Sequence, residues 1–250
     1  AGYRLVFLPR HGRGHKIPPT EINYRANIEA LKRAGVDRIV SFSAVGSLRE
    51  DYKPGDFVIV DQYVDRTFAR EKSFFGTGFV AHVSMADPVC TTTSEVITES
   101  AKSIKLNVHS GGTYLVMEGP QFSSRAESNW YRSIGCDVIG MTNMPEAKLA
   151  REAEMAYATV AMVTDYDCWH QDHDDVNTAS ILEVLQNNSE HAKELIKALV
   201  PRLGALQAPF ESGAHKSLEH AIATVPEQRD PELSAKLAVI TRRVIDNPGW

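Results

Sequence analysis

The sequence predicts an α/β domain, a sheet covered on both faces by helices. Three observations predict it. Apolar runs of four to seven residues alternate along the chain with segments of helical periodicity. Those runs are continuously hydrophobic, the pattern of strands buried on both faces. The 250 residues, 43% hydrophobic and 24% charged, are enough for one large core.

Taken in order, "YRLVFLP" is the first strand candidate and reads as a strand already under way at Tyr3. "PPTEINYRANIEALKRAG" follows as helix, with Ile22, Ala26, Ala30, Leu31 and Ala34 on one face and Gly35 as its stop. "VDRIVSFSAVGS" is the next strand, and "GDFVIVDQYVD" another after the turn "KPG". "TSEVITESAKSIKLN" reads as helix and "GGTYLVMEGP" as strand. "SSRAESNWYRSIG" is helix, opened by Ser124 and Glu127 at capping-box spacing. "CDVIGMT" is strand. "NMPEAKLAREAE" is helix, and Asn143 with Glu146 repeats the capping-box spacing. "MAYATVAMVTD" is the last buried strand, and "TASILEVLQNNSEHAKELIKALVPRLG" is a long helix. Beyond Leu206 the pattern changes to two helical segments broken at Pro226, expected to be an appended part of the same domain. The expected division is 1–206 for the α/β domain and 207–250 for its helical extension.

Composition narrows the partners. A net charge of -5 provides no basic face for nucleic acid. No apolar stretch approaches the ~20 residues of a membrane helix. "AGYRLVFLPRHG" has no charged leader, apolar h-region or small-residue cleavage site, so no signal peptide is expected there. Cys90, Cys136 and Cys168 are odd in number and widely spaced, which fits reduced thiols in the cytoplasm. His170 and His173 in "HQDH" are a weak metal signal, more simply a solvated loop, and no metal is expected.

In open α/β sheets ligands bind beyond the carboxyl ends of the strands. Five predicted strand ends carry Arg10 and His11, Ser43 and Ala44, Phe122 within "EGPQFSS", Met141 and Thr142, and Asp165 with Asp167. Arg10, His11, Ser43, the small-residue turn at Ala44 and Thr142 suit an oxyanion, since guanidinium and helix-start N–H groups bind phosphate. Asp165 and Asp167 suit the opposite demand, a ligand that presents N–H donors, and Phe122 suits a flat ring. Each residue alone has an ordinary explanation as a cap, a turn residue, core filler or a solvated strand end. Co-location at five strand ends is what favours a site, and its polarity suggests attack of phosphate on a nucleoside.

The motifs "PRHGRGHKIPPTEINYRANIEALK", "GSLREDYKPGDFVIVDQYVDRT", "EGPQFSSRAESNWYR", "MTNMPEAKLAREAEMAYA" and "TDYDCWH" resemble the methylthioadenosine phosphorylases of the trimeric purine nucleoside phosphorylase group. The resemblance spans roughly Arg4 to Leu203, with several long motifs in the right order. It implies the nucleoside phosphorylase fold: one domain with a central mixed, mostly parallel β-sheet flanked by helices. It implies phosphorolysis of methylthioadenosine, with inorganic phosphate as co-substrate and no metal or organic cofactor. By the same resemblance Arg10, His11, Ser43, Ala44 and Thr142 contact phosphate, and "SAVGS" stands where the family has "TACGS". Met141 lies along the ribose, Phe122 stacks on the base, and Asp165 and Asp167 face the purine N7 and 6-amino group. His82 reaches a neighbouring subunit's 5′ pocket, Leu182 lines the methylthio group, and the assembly is a homotrimer. Two features depart from the family. Gln121 replaces the usual arginine, and the family's first strand and Gly-rich phosphate turn have no counterpart here. The alternatives are a 6-oxopurine nucleoside or methylthioinosine phosphorylase, and a non-catalytic nucleoside-binding protein. A NAD-type enzyme is disfavoured, because no G-x-G-x-x-G follows a strand.

Overall fold

The structure, a computed structural model, describes residues 4–170, 178–206 and 213–246; the side chains of residues 178–183 and 246 lie outside that description. Its strands are β1 (Arg38–Ser47), β2 (Phe57–Val60), β3 (Gln62–Asp65), β4 (Val108–Ser110), β5 (Thr113–Val116), β6 (Val138–Gly140) and β7 (Ala156–Asp165). The helices are α1 (Tyr24–Arg33), α2 (Thr91–Ser103), α3 (Arg125–Ser133), α4 (Asn143–Glu152), α5 (Thr178–Ala205), α6 (Pro231–Lys236) and α7 (Ala238–Asp246).

The sheet is mixed and mostly parallel, in the order β3-β5-β6-β1-β7-β2-β4. β1 runs parallel to β7 over nearly its whole length, β2 to β4, β3 to β5 and β5 to β6, whereas β6 meets β1, and β2 meets β7, antiparallel. Each end strand is continuous in sequence with a strand near the opposite end of this order. β2 passes into β3 across Asp61, and β4 into β5 across Gly111 and Gly112, so the sheet curls until its ends adjoin.

Strand side chains alternate between faces, and each face feeds its own core. Val58, Val60, Tyr157, Ala161 and Val163 join a cluster with Ile28 of α1 and Leu149 of α4. Phe57, Ile59, Ala158, Val160 and Met162 join Ile97 of α2 and Leu195 of α5. Two covered faces require apolar residues at odd and even positions alike, which is why β2 and β7 read as unbroken hydrophobic runs. Each fully buried aliphatic side chain stabilises by about 1.5–3 kcal/mol.

Several expectations are corrected. Residues 4–9 form no strand: Leu5, Val6 and Phe7 are exposed, and the segment runs beside a cavity of about 870 Å³ without a ladder partner. Hydrophobicity alone does not make a strand when no edge receives its main-chain groups. On α1 the buried face is Tyr24, Ile28 and Leu31, while Ala26 and Ala30 face solvent, because large side chains gain more from burial than alanine. "GDFVIVDQYVD" is two strands instead of one, and the short β4 in "NVHS" escaped the pattern altogether.

The capping box at Ser124 and Glu127 forms, with Ser124 Oγ and the Glu127 carboxylate exchanging main-chain N–H bonds. Its counterpart at Asn143 and Glu146 does not, and Thr142 takes the cap position without a side-chain bond. Beyond Leu206 the described residues before Pro226 form a single 3₁₀ turn, Ala214–Lys216, and α6 and α7 follow. The segment packs on the domain through Leu218, Ala221, Leu237 and Ile240. No described helix is long and apolar enough to cross a membrane.

Candidate active site

One pole of the site gathers around Arg10. Ser41 and Ser43 lie two apart on β1 and so share a face, while Thr142 and Glu146 lie four apart at the start of α4. Arg10 Nε donates to Glu146 Oε2 at 2.9 Å. Its Nη2 donates to Glu146 Oε1 at 2.7 Å and Ser41 Oγ at 2.6 Å. Its Nη1 donates to Thr142 Oγ1 at 3.2 Å and Phe42 O at 3.4 Å. Burial opposes the Arg10 charge, but the Glu146 carboxylate outweighs it, and the guanidinium is held more firmly protonated than usual. Tyr157 donates its hydroxyl to Glu146 Oε1 at 2.8 Å. This bidentate pair explains the missing capping box, because the Glu146 carboxylate is already committed to Arg10, where charge-assisted bonds are the stronger kind.

All five N–H groups of Arg10 thus have protein acceptors. An anion gains a direct bond to it only by displacing one, and Phe42 O is the most distant. Nearer the strand end, Ser43 Oγ lies 3.0 Å from Tyr114 Oη and 3.4 Å from Thr142 Oγ1. Gly140 makes room for that tyrosine: a Cβ there would lie 2.0 Å from the Tyr114 hydroxyl. His11 is adjacent in sequence but turns aside. Its ring stacks on His15 at 4.0 Å and its Nδ1 lies 2.8 Å from Ile17 O, and burial pulls its pKa down. Ala44 is exposed within β1, paired with Met162 and not at the strand end that the sequence suggested.

The second pole lies where β7 ends. A bulge between Val45 and Gly46 shifts the ladder and sets Gly46 opposite Asp165. A Cβ at Gly46 would stand 2.9 Å from Asp165 Oδ1, so only glycine lets the carboxylate come this close. Asp165 accepts from Thr164 Oγ1 at 2.7 Å and from Asp167 N–H at 2.8 Å. Asp167 is buried at φ 50° and starts a 3₁₀ turn ending at Trp169. Trp169 pins that turn, donating Nε1–H to Ser47 O at 2.7 Å, with Arg132 3.6 Å over its ring.

Burial raises the pKa of both carboxyls, and for Asp167 the nearby Asp165 charge adds to the effect. Asp167 Oδ2 is buried and makes no close hydrogen bond of its own among the described residues, although the Ser128 and Ser123 hydroxyls lie near enough to the carboxyl to oppose part of the rise. It is an acceptor suited to a ligand N–H. Phe122, 44% exposed, is tied to this pole through Ser123, whose carbonyl accepts from Cys168 Sγ at 3.2 Å.

Ser43 and Gly46 are three residues apart on one strand, which separates the poles by about 10 Å. Met141 directly precedes Thr142, and its side chain packs against Gly119. The turns at Glu118 and at Met141–Met144 are held by Arg70, which the sequence did not single out. Its buried guanidinium donates to the carbonyls of Met141 at 2.5 Å, Met144 at 2.7 Å and Glu118 at 2.6 Å, and to Glu118 Oε1 at 2.9 Å. Burial of Glu118 works toward a higher pKa. Bonds from Thr20, the Phe68 and Ala69 N–H groups and Arg70 prevail and hold it at about 2.

The structure therefore joins Arg10, Ser43 and Thr142 in one network, and Asp165 with Asp167 in another. His82 is exposed on a different cavity, of about 370 Å³, lined also by Lys72, Ser73, Lys148 and Glu152. The Leu182 side chain lies outside the described residues. Among the described residues no cluster of three or more His, Cys, Asp or Glu could hold a metal. Ser41, Tyr114, Glu146, Tyr157, His15 and Gly46 were missed. Only the two serines at alternate positions left a readable signal, the period-2 spacing.

A model of the phosphorylase superfamily matches residues 2–201. The S-methyl-5′-thioadenosine phosphorylase of Rhodospirillum rubrum is 58% identical over 244 residues, covering 98% of this chain and 83% of the relative. That of Cereibacter sphaeroides is 57% identical, covering 98% and 84%. Among solved structures, a methylthioadenosine phosphorylase from an antarctic soil metagenomic library superposes with a TM-score of 0.88 at 48% identity, covering 94% of this chain and 82% of that one. The Schistosoma mansoni methylthioadenosine phosphorylase in complex with adenine gives a TM-score of 0.80 at 37% identity, covering 84% and 81%. The chain belongs to the phosphorylase superfamily and, within it, to the S-methyl-5′-thioadenosine phosphorylase family.

Proposed function

We propose that this chain cleaves 5′-methylthioadenosine with inorganic phosphate, giving adenine and 5-methylthioribose 1-phosphate. The observation that carries the reading is the polarity of the site: the half-buried Asp165 and buried Asp167 carboxyls at one end, hydroxyls backed by Arg10 at the other. Glycosidic cleavage passes through an oxocarbenium-like state in which ribose gains positive charge and the leaving purine negative charge. Phosphate held by Ser43 and Thr142, near Arg10, His11 and the Ala44 main chain, stabilises the first. A proton shared between Asp165 and the purine N7 stabilises the second, and burial favours the protonated acid that this requires. Asp167 takes the 6-amino group, Phe122 stacks on the base, and Met141 lies along the ribose. No redox or carbanion step arises, so the reading calls for no cofactor.

His82 and Leu182 are assigned to the 5′ methylthio end, with His82 supplied across the interface of a homotrimer. Its three free thiols suit a reducing compartment, the cytoplasm. The test is phosphate-dependent base release by the full-length protein from methylthioadenosine and from inosine. Carboxylates face the 6-oxo group of inosine with like-signed lone pairs, so methylthioadenosine is expected to be strongly preferred. Comparable turnover of the two would overturn the base assignment, and adenine binding without turnover would mark a binding protein.

A further inference from the structure

The extended loop carrying His82 lies between β3 and α2. Its side chains alternate: Ala81, Val83 and Met85 pack on the main core while His82 projects outward. A loop outside the sheet still needs partners for its main-chain groups. Here they come from the C-terminal segment. His82 donates its N–H to Ala221 O at 2.8 Å, Ala223 donates to Val80 O at 2.9 Å, and Asp230 donates to Gly78 O at 2.8 Å. Ala81 and Ile222 form an antiparallel bridge. Val80 N–H donates to Thr224 Oγ1 at 2.9 Å. Arg229 donates to Thr224 O at 3.0 Å and lies 5.1 Å over the Phe79 ring.

The segment is itself anchored to the body of the protein. Leu218 N–H donates to Glu154 Oε1 at 3.0 Å, and Arg243 forks onto the same carboxylate at 2.8 and 2.7 Å. The C-terminal residues that make these contacts, Leu218 to Arg243, lie beyond residues 2–201, which the superfamily model matches, whereas their partners lie within that range.

We propose that residues 221–230 form a positioning element for substrate selectivity, a brace that sets the reach of His82 toward the 5′ end of a nucleoside. The strictness with which the 5′ substituent is read is then governed by the C-terminal extension, outside the common superfamily core. The inference rests on the assignment of His82 to that end in the proposed function. Its physical basis is preorganisation: a side chain whose own N–H and the two residues before it, Val80 and Ala81, are tied to an anchored segment keeps its position, and a misplacement of 1 Å is enough to lose a selective contact.

The test measures kcat and KM for methylthioadenosine and adenosine, with Tm, in the full chain and in His82→Ala, Thr224→Val and Ala223→Pro. Thr224→Val keeps the shape and removes the acceptor of Val80 N–H; Ala223→Pro removes the donor to Val80 O. One alkyl group in an apolar pocket discriminates by ~10–200-fold. The ratio of kcat/KM for methylthioadenosine over adenosine is expected to fall about tenfold in His82→Ala. It is expected to fall about three- to tenfold in the two brace variants, chiefly through KM for methylthioadenosine. Combining Thr224→Val with His82→Ala should cost little beyond His82→Ala alone. If His82→Ala leaves the ratio unchanged, the assignment of His82 fails and the brace with it. If His82→Ala lowers the ratio while both brace variants keep it, even at reduced Tm, the segment is structural only and the inference is overturned with the role of His82 intact.

Discussion

Asp165 meets two demands that oppose each other. In the proposed reaction its carboxyl holds a proton for the purine, which burial promotes, and that same burial weakens the fold once the group ionises. A raised folded pKa contributes stability at low pH that is lost as pH climbs through it. Asp165→Asn is therefore expected to gain Tm at pH 8 relative to pH 5 while phosphorolysis falls ~10²–10⁴-fold. At Asp167, assigned to the 6-amino group, an amide can donate to a 6-oxo group, so the preference against inosine should relax in Asp167→Asn; unchanged selectivity in paired kcat/KM measurements would count against the assigned role. Gly46 is the second control on the Asp165 carboxyl. In Gly46→Ala the new Cβ would lie 2.9 Å from Asp165 Oδ1 and 3.2 Å from Ile139 Cγ2. Relief of such crowding typically costs ~1–3 kcal/mol, so kcat/KM for methylthioadenosine should fall about tenfold or more, with a lower Tm. The aspartates were legible by residue type. Gly46 was not, because its importance depends on a neighbour 119 positions along the chain, brought close by a bulge.

The start of α4 shows how an element trades local for distant bonding. Sequence spacing predicts a cap in which Glu146 folds back on its own helix, yet Glu146 bonds Arg10, 136 residues away. Local rules describe what a segment does in the absence of better partners, and a buried guanidinium is a better partner. The turns beside it depend likewise on Arg70 and Glu118, whose side chains are 1% and 9% exposed. Replacing Glu118 by Gln leaves Arg70 buried without its counter-charge, expected to cost ~3–5 kcal/mol at pH 7. The same variant tests the pH dependence. Glu118 is held at about 2, below the ordinary carboxyl, so its contribution is present above the unfolded value and lost as pH falls toward 2. Tm should drop steeply between pH 5 and 3 in the parent and less in Glu118→Gln. Asp65, also held at about 2 against the opposing effect of burial by bonds from Lys148, Thr67 and Lys72, keeps part of the decline in both.

At the scale of the molecule, the curl of the sheet brings strands from distant parts of the chain to one rim. The residues of the proposed phosphate pole come from β1, from the start of α4 and from the loop before α1; those of the proposed base pole come from the end of β7 and the turn before α3. His82 stands apart, exposed on another cavity, a placement compatible with the homotrimer that the family resemblance implies and that we propose. Light scattering is expected to give three copies per particle. Dilution to the point of dissociation should then lower the selectivity for the methylthio group more than it lowers phosphate affinity. A monomer with full 5′ selectivity would rule out the shared site.

What the sequence determined by itself was everything set by short range: continuous apolar strands, amphipathic helices, the Ser124 cap, and an inventory of anion-binding and donor-seeking residues sorted by chemistry. Periodicity and residue type act over a few positions, and they survive into the fold. The tertiary structure alone decided which edges pair, where "GDFVIVDQYVD" breaks, that residues 4–9 lie unpaired despite their apolar run, and which acceptors surround Arg10. Those outcomes depend on contacts between residues tens to more than a hundred positions apart, where burial and charge pairing compete across the whole chain and no local pattern records the winner.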